Sequence, residues 1–151
     1  MPMNLTEALT DEHRRIDGGI EAYLDGAGTT PLLDAVTALR RHIYLEEAFL
    51  FPPLRAAGLM MPVLVMLREH GEIWRLMDQL VALTDPDGAD DGAAAATCRN
   101  LLALLDQHNS KEEPIIYPHA DADLPAGTAA DLRAFLDTGT TPTGWVCEGV
   151  R

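Results

Sequence analysis

Cationic side chains are scarce: 11 Lys and Arg stand against 24 Asp and Glu, a formal net charge of −13. That excess repels phosphate backbones and anionic lipid, and no basic patch offsets it, so neither nucleic acid nor a membrane surface is expected as a partner. Cysteine is equally sparse. Cys98 and Cys147 are the only two, without the spacing of a disulfide framework or a zinc knuckle, and reduced thiols in the cytoplasm are expected. No apolar run approaches the roughly 18 residues that span a bilayer, and Met1 to Glu7 lacks the basic start of a signal peptide. What the chain does have is 47% apolar residues in a length of 151, enough for one continuous core.

One phrase occurs twice. His42-Ile-Tyr-Leu-Glu46-Glu47-Ala-Phe-Leu-Phe51-Pro52 returns 66 residues later as His108-Asn-Ser-Lys-Glu112-Glu113-Pro-Ile-Ile-Tyr117-Pro118. Histidine, both glutamates, the aromatic and the proline keep their register. On a helix, residues i and i+4 lie one turn apart on nearly one azimuth, so an imidazole and a carboxylate can converge on one ion. Each His-x3-Glu is therefore half a metal site. His13 and His70 bring the set to four nitrogens and two carboxylates, which suits a pair of iron ions.

Apolar periodicity gives four long helices. The first spans Leu5 to Leu24, with Leu5, Leu9, His13, Ile16 and Ile20 on one stripe. The second is capped by Thr30 with Pro31 at its first position and stopped by Pro52 and Pro53. The third carries Pro62 in its first turn and runs to about Leu83; the fourth begins near Ala93. The expected fold is all-α, an antiparallel up-down-up-down four-helix bundle over residues 1–120. Residues 121–151 form an extension, with a short helix opened by a Thr128-x-x-Asp131 capping box and then an irregular tail. Counted along antiparallel helices at about 1.5 Å per residue, the four histidines fall in one layer. Pro114 removes a backbone donor, so the fourth helix loosens just past Glu112.

Burying four histidines and two glutamates unpaired costs several kcal/mol, and a cation pair removes that cost. Glu47 and Glu113, at i+5, are rotated about 100° off the shared face and are assigned to solvent or to an outer layer of the site. Ferritin-like sites use Glu-x-x-His; no histidine here has a glutamate three residues before it. His119 reads as a surface residue in a turn and Cys98 as a small buried apolar residue; Trp74 reads as core ahead of a wall for the open coordination position, and Tyr44 and Tyr117, near the glutamates, as packing ahead of hydrogen-bond donors to the site. Cys147 lies in a tail expected to dock through Trp145.

The segments Asp11-Glu-His13-Arg-Arg, His42-x3-Glu46-Glu-x3-Phe51-Pro, Glu69-His70-Gly and His108-x3-Glu112-Glu-Pro-x2-Tyr117-Pro resemble those of a hemerythrin-type (HHE cation-binding) domain. Within that family the chain is most similar to the di-iron domain of the repair-of-iron-centres proteins. The resemblance covers Leu5 to His119. It implies two Fe ions in a non-haem, oxo- and carboxylate-bridged centre, with His13, His42, Glu46, His70, His108 and Glu112 as ligands. Where oxygen carriers of the family have a second histidine one turn from His70, this chain has Met66 and Trp74. The resemblance implies a stress protein that handles O2, NO or peroxide, or supplies iron, with a redox or iron-acceptor protein as partner. The other readings are an oxygen or redox sensor or store, and a ferroxidase or iron-storage protein.

Overall fold

The computed structural model describes residues 3–151. Helix α1 (Leu5–Leu24) starts at Asn4, whose side chain accepts a bond from the Glu7 amide at 2.8 Å. Asp121 occupies the free Leu5 and Thr6 amides at 2.8 and 3.0 Å, pinning the far end of the bundle to α1. Helix α2 (Thr29–Leu45) begins one residue before the expected cap, because Gly28 at φ 82° makes the turn that only glycine adopts without strain. Helix α4 (Met60–Thr84) has Pro62 in its first turn. Helix α5 (Asp91–Lys111) is capped by the Asp90 carboxylate on the Ala93 amide at 3.0 Å.

These four helices form the bundle, with α1 packed on α2 and α5, and α4 packed on α5 and α2. Among the described residues the chain has no strand, and no helix is long and apolar enough to cross a membrane. The fold is the all-α bundle expected from the periodicity.

Pro52 and Pro53 do not stop α2, contrary to expectation. The helix widens into a π turn at Glu46–Leu50 and continues as α3 (Phe51–Ala56), with the prolines in its first turn, where a missing amide hydrogen costs nothing. Helix α5 does the same: a π turn at Glu112–Ile116 contains Pro114 and leads into α6 (Tyr117–Asp123). His119 therefore sits in a helix rather than a turn, half-exposed and paired with Asp123 at 2.5 Å. The fold repeats itself: α1, α2, π turn and α3 correspond to α4, α5, π turn and α6.

Helix α7 (Ala126–Thr138) starts before Thr128, so the capping box does not form; Leu132 and Phe135 are its buried face. The tail beyond it packs down. Trp145 meets Trp74 and Tyr44 edge to face at 5.6 and 5.1 Å, and Cys147 is fully buried. At a 3-10 turn, Glu148–Val150, the backbone of Gly149 lies directly on Gly71 of α4; a Cβ on Gly71 would meet the Gly149 carbonyl oxygen at 2.9 Å. Both positions need glycine for that approach.

The core divides in two. One cluster joins Ile16, Ile20, Leu39, Ile43, Ile73, Met77 and Leu101; the other joins Leu5, Leu9, Leu50, Phe51, Val63, Met66 and Tyr117. The polar layer sits between them.

Candidate metal centre

All six residues singled out by the sequence converge in that layer. His13 on α1, His42 on α2, His70 on α4 and His108 on α5 are buried, and Glu46 and Glu112, at the starts of the two π turns, have no exposed surface at all. Ring centroids are 4.7 Å apart for His13 and His42 and 5.0 Å for His70 and His108. Two groups of donor atoms result, each with every atom within 4.8 Å of the others: His13, His42, Glu46 and Glu112, and then His70, His108, Glu46 and Glu112.

The two carboxylates belong to both groups, one oxygen to each. Glu46 places Oε2 3.4 Å from His42 Nε2 and Oε1 3.2 Å from His70 Nε2. Glu112 places Oε1 3.1 Å from His13 Nε2 and Oε2 3.2 Å from His108 Nε2. Imidazole nitrogens and carboxylate oxygens in this proportion suit a divalent or trivalent first-row metal ion.

The bonding of the second group points the same way. Glu46 Oε1, Glu112 Oε2 and His70 Nε2 are buried without a hydrogen-bond partner. Each such atom costs about 1–3 kcal/mol, so a fold that gathers three of them is built for something that bonds all three at once. The donor set present fits a pair of cations sharing two carboxylates.

Four outer carboxylates orient the rings. Glu12 holds His42 Nδ1 at 2.8 Å, Glu113 holds His13 Nδ1 at 2.7 Å, Glu47 holds His70 Nδ1 at 2.7 Å and Glu69 holds His108 Nδ1 at 2.9 Å. Each Nδ1 is thereby committed to a carboxylate, and every Nε2 is turned inward, the arrangement that would leave it free for a cation. The pattern crosses between helices. Glu12 precedes His13 but serves His42, and Glu69 precedes His70 but serves His108. Glu47 and Glu113 reach back from the π turns, which rotate them off the solvent face. Further donors steady three of these carboxylates: Arg41 at 3.3 Å from Glu12, Lys111 bonded to Glu69, and the Glu148 amide donating to Glu47 at 2.9 Å.

Charge follows from this crowding. Burial disfavours the His108 imidazolium, but the adjacent Glu112 carboxylate and the bond to Glu69 outweigh it and raise the group to about 10. For His42, burial is likewise overcome by Glu46 and Glu12, which hold it well above its ordinary value; for His70, burial is overcome by the Glu46 and Glu47 carboxylates beside it, which raise it. Glu69, bonded to His108 and Lys111, is lowered to about 2. Without a cation the centre keeps protons in its place.

Of the two readings of Tyr117, packing and hydrogen bonding to the glutamates, the structure shows the second. Tyr117 is fully buried, yet its Oη stands 2.7 Å from Glu112 Oε1, 2.8 Å from Glu46 Oε2, 2.9 Å from His13 Nε2 and 3.0 Å from His42 Nε2. Tyr44 and Trp74 do pack, away from the centre, against Phe49, Phe135 and Trp145, and against Arg40 and Trp145. Leu39, Ile43, Ile73 and Leu105 wall a cavity of about 10 Å³ beside the six residues, room for roughly one water-sized molecule.

The model of the hemerythrin HHE cation binding domain matches residues 4–120. The chain belongs to that family. No curated protein and no solved structure matches it. All six predicted ligands and Tyr117 lie inside the segment of this HHE domain, whereas α7 and the tail that bonds Glu47 lie beyond it. Spacing does not reveal Glu12 and Glu69, because a glutamate beside a histidine faces another azimuth; their signal in the sequence is that a glutamate precedes both His13 and His70.

Proposed function

We propose that this HHE-domain protein holds two iron ions, bridged by Glu46 and Glu112, and that a diatomic or peroxidic molecule is handled at them during oxidative or nitrosative stress. The observation that carries the reading is the division of each carboxylate between two donor groups, one oxygen apiece. Bound iron supplies one-electron redox chemistry and Lewis acidity. The chain supplies the rest. Glu12, Glu47, Glu69 and Glu113 fix the tautomers, the two core clusters exclude water, and His13, His42, Glu46, His70, His108 and Glu112 are the ligands. The apolar walls and the cavity of about 10 Å³ favour an occupant of one or two heavy atoms over any larger substrate.

Iron-loaded protein, reduced anaerobically, is mixed in turn with O2, NO and hydrogen peroxide and followed by absorption. A saturable spectral change at one equivalent or fewer per iron pair, or turnover of NO or peroxide, is the expected result. A spectrum indifferent to all three contradicts the reading. Transfer of the iron to an apo acceptor protein instead assigns the chain to iron supply, and reversible O2 binding without turnover assigns it to storage or sensing.

A further inference from the structure

The internal repeat is broken at one position inside the centre. Nine residues after His42 the chain has Phe51; nine after His108 it has Tyr117. The two rings are placed alike, Phe51 5.5 Å from His70 and Tyr117 5.4 Å from His13, each leaning on the histidine of the opposite half. Phe51 brings no polar atom. Tyr117 brings its Oη to within 3.0 Å of all four donor atoms of the first group.

That crowding is unstable as a set of hydrogen bonds. A phenol has one hydrogen to donate. Its oxygen adds two lone pairs, so it has three bonding positions for four partners at 2.7–3.0 Å. The partners crowd one another as well, His13 Nε2 lying 3.0 Å from His42 Nε2 and 3.1 Å from Glu112 Oε1. The second group has no such oxygen, and its own buried atoms are the unpartnered ones. A cation resolves the conflict at the first group if the phenol oxygen becomes a donor to it alongside the other four.

We infer that Tyr117 Oη is a ligand of the cation in the first group, so that this ion has five donors from the chain and its neighbour, beside Phe51, has four. The inference rests on the di-iron reading above. On loading with Fe(III), the Tyr117 O–H bond breaks, its proton passes to the buffer, and the oxygen supplies both electrons of the new bond; nothing is oxidised or reduced. The two ions are therefore inequivalent. The phenolate favours the ferric state of the first ion, and an external ligand is directed to the second, on the Phe51 side.

The test uses the full chain loaded aerobically with iron, as wild type and as Tyr117→Phe, a change the repeat already tolerates at Phe51. A ferric phenolate absorbs in the visible, and excitation there enhances tyrosinate ring vibrations in the Raman spectrum. The wild type is expected to hold two irons and show both signals, and Tyr117→Phe to keep its iron and lose both. Growth on ring-deuterated tyrosine shifts the enhanced vibrations of the wild type, a check that needs no variant. Two irons without tyrosinate vibrations, or vibrations that persist in Tyr117→Phe, overturn the assignment and leave the di-iron reading standing. A wild-type chain that takes up no iron overturns both.

Discussion

At the scale of single residues, the centre depends on carboxylates with two kinds of work. Glu46 and Glu112 each serve both donor groups, so Glu46→Ala or Glu112→Ala removes a donor from both ions. Metal content after chelation and reloading is expected to fall below one equivalent per chain; a variant that retains two contradicts the shared arrangement. Glu12 and Glu69 touch no ion. Glu12→Ala or Glu69→Ala is expected to weaken metal affinity by about 10–100-fold, the usual effect of freeing a ligating histidine, read by competition with a chelator. Protons compete for the same atoms. The contribution of His108 to the metal-free fold is fully present below its ordinary 6.5 and disappears as pH rises through about 10; that of Glu69 is present above 4.5 and lost as pH falls through about 2. Thermal melts of the metal-free protein should therefore decline from pH 6.5 toward 10, while metal affinity climbs over the same range as the imidazolium protons leave. A melting temperature that climbs across that interval contradicts the assignment.

At the scale of elements, the two π turns and the tail do what a regular helix does not. A straight α-helix puts Glu47 and Glu113 about 100° from the ligating face; the wide turn at each site brings them back onto His70 and His13. Pro114 showed where one of these turns falls, because a lost amide hydrogen loosens the ladder there. Pro52 and Pro53 gave no such warning, since they sit just past the other turn and read equally well as an end. The convergence of the six residues was legible, the two His-x3-Glu pairs from spacing within one helix and His13 and His70 from their places on the inward stripes. The crossed partnerships of Glu12 and Glu69, and the reach of Tyr117 across to α1 and α2, depend on how helices face one another, which periodicity does not carry. The tail is a second element-scale device. The Glu148 amide bonds Glu47, and Cys147, its thiol pushed up to about 11 by burial, is a packing residue behind that contact. Gly71→Ala drives a methyl into the Gly149 backbone. We expect a loss of about 1–3 kcal/mol, and weaker metal retention although no ligand has changed. Denaturant melts and chelator competition on the same sample check this; unaltered metal affinity would detach the tail from the centre.

At the scale of the whole molecule, one polar layer separates two apolar clusters, and on the di-iron reading proposed above the cations bond the atoms this layer leaves unpartnered. Metal binding is then linked to folding. A cation at about 100 times its dissociation constant adds about 2.7 kcal/mol for a single site, so the iron-loaded chain is expected to melt well above the chelated one. The repeat explains how a chain with 5 histidines organises such a layer: two copies of one helix pair, antiparallel, each supply two rings and one shared carboxylate. The most direct test is the iron content of reconstituted protein together with its Mössbauer spectrum. Two ferric ions per chain, magnetically coupled through their bridges, are predicted; one ion per chain, or two that behave as isolated high-spin centres, would contradict the account.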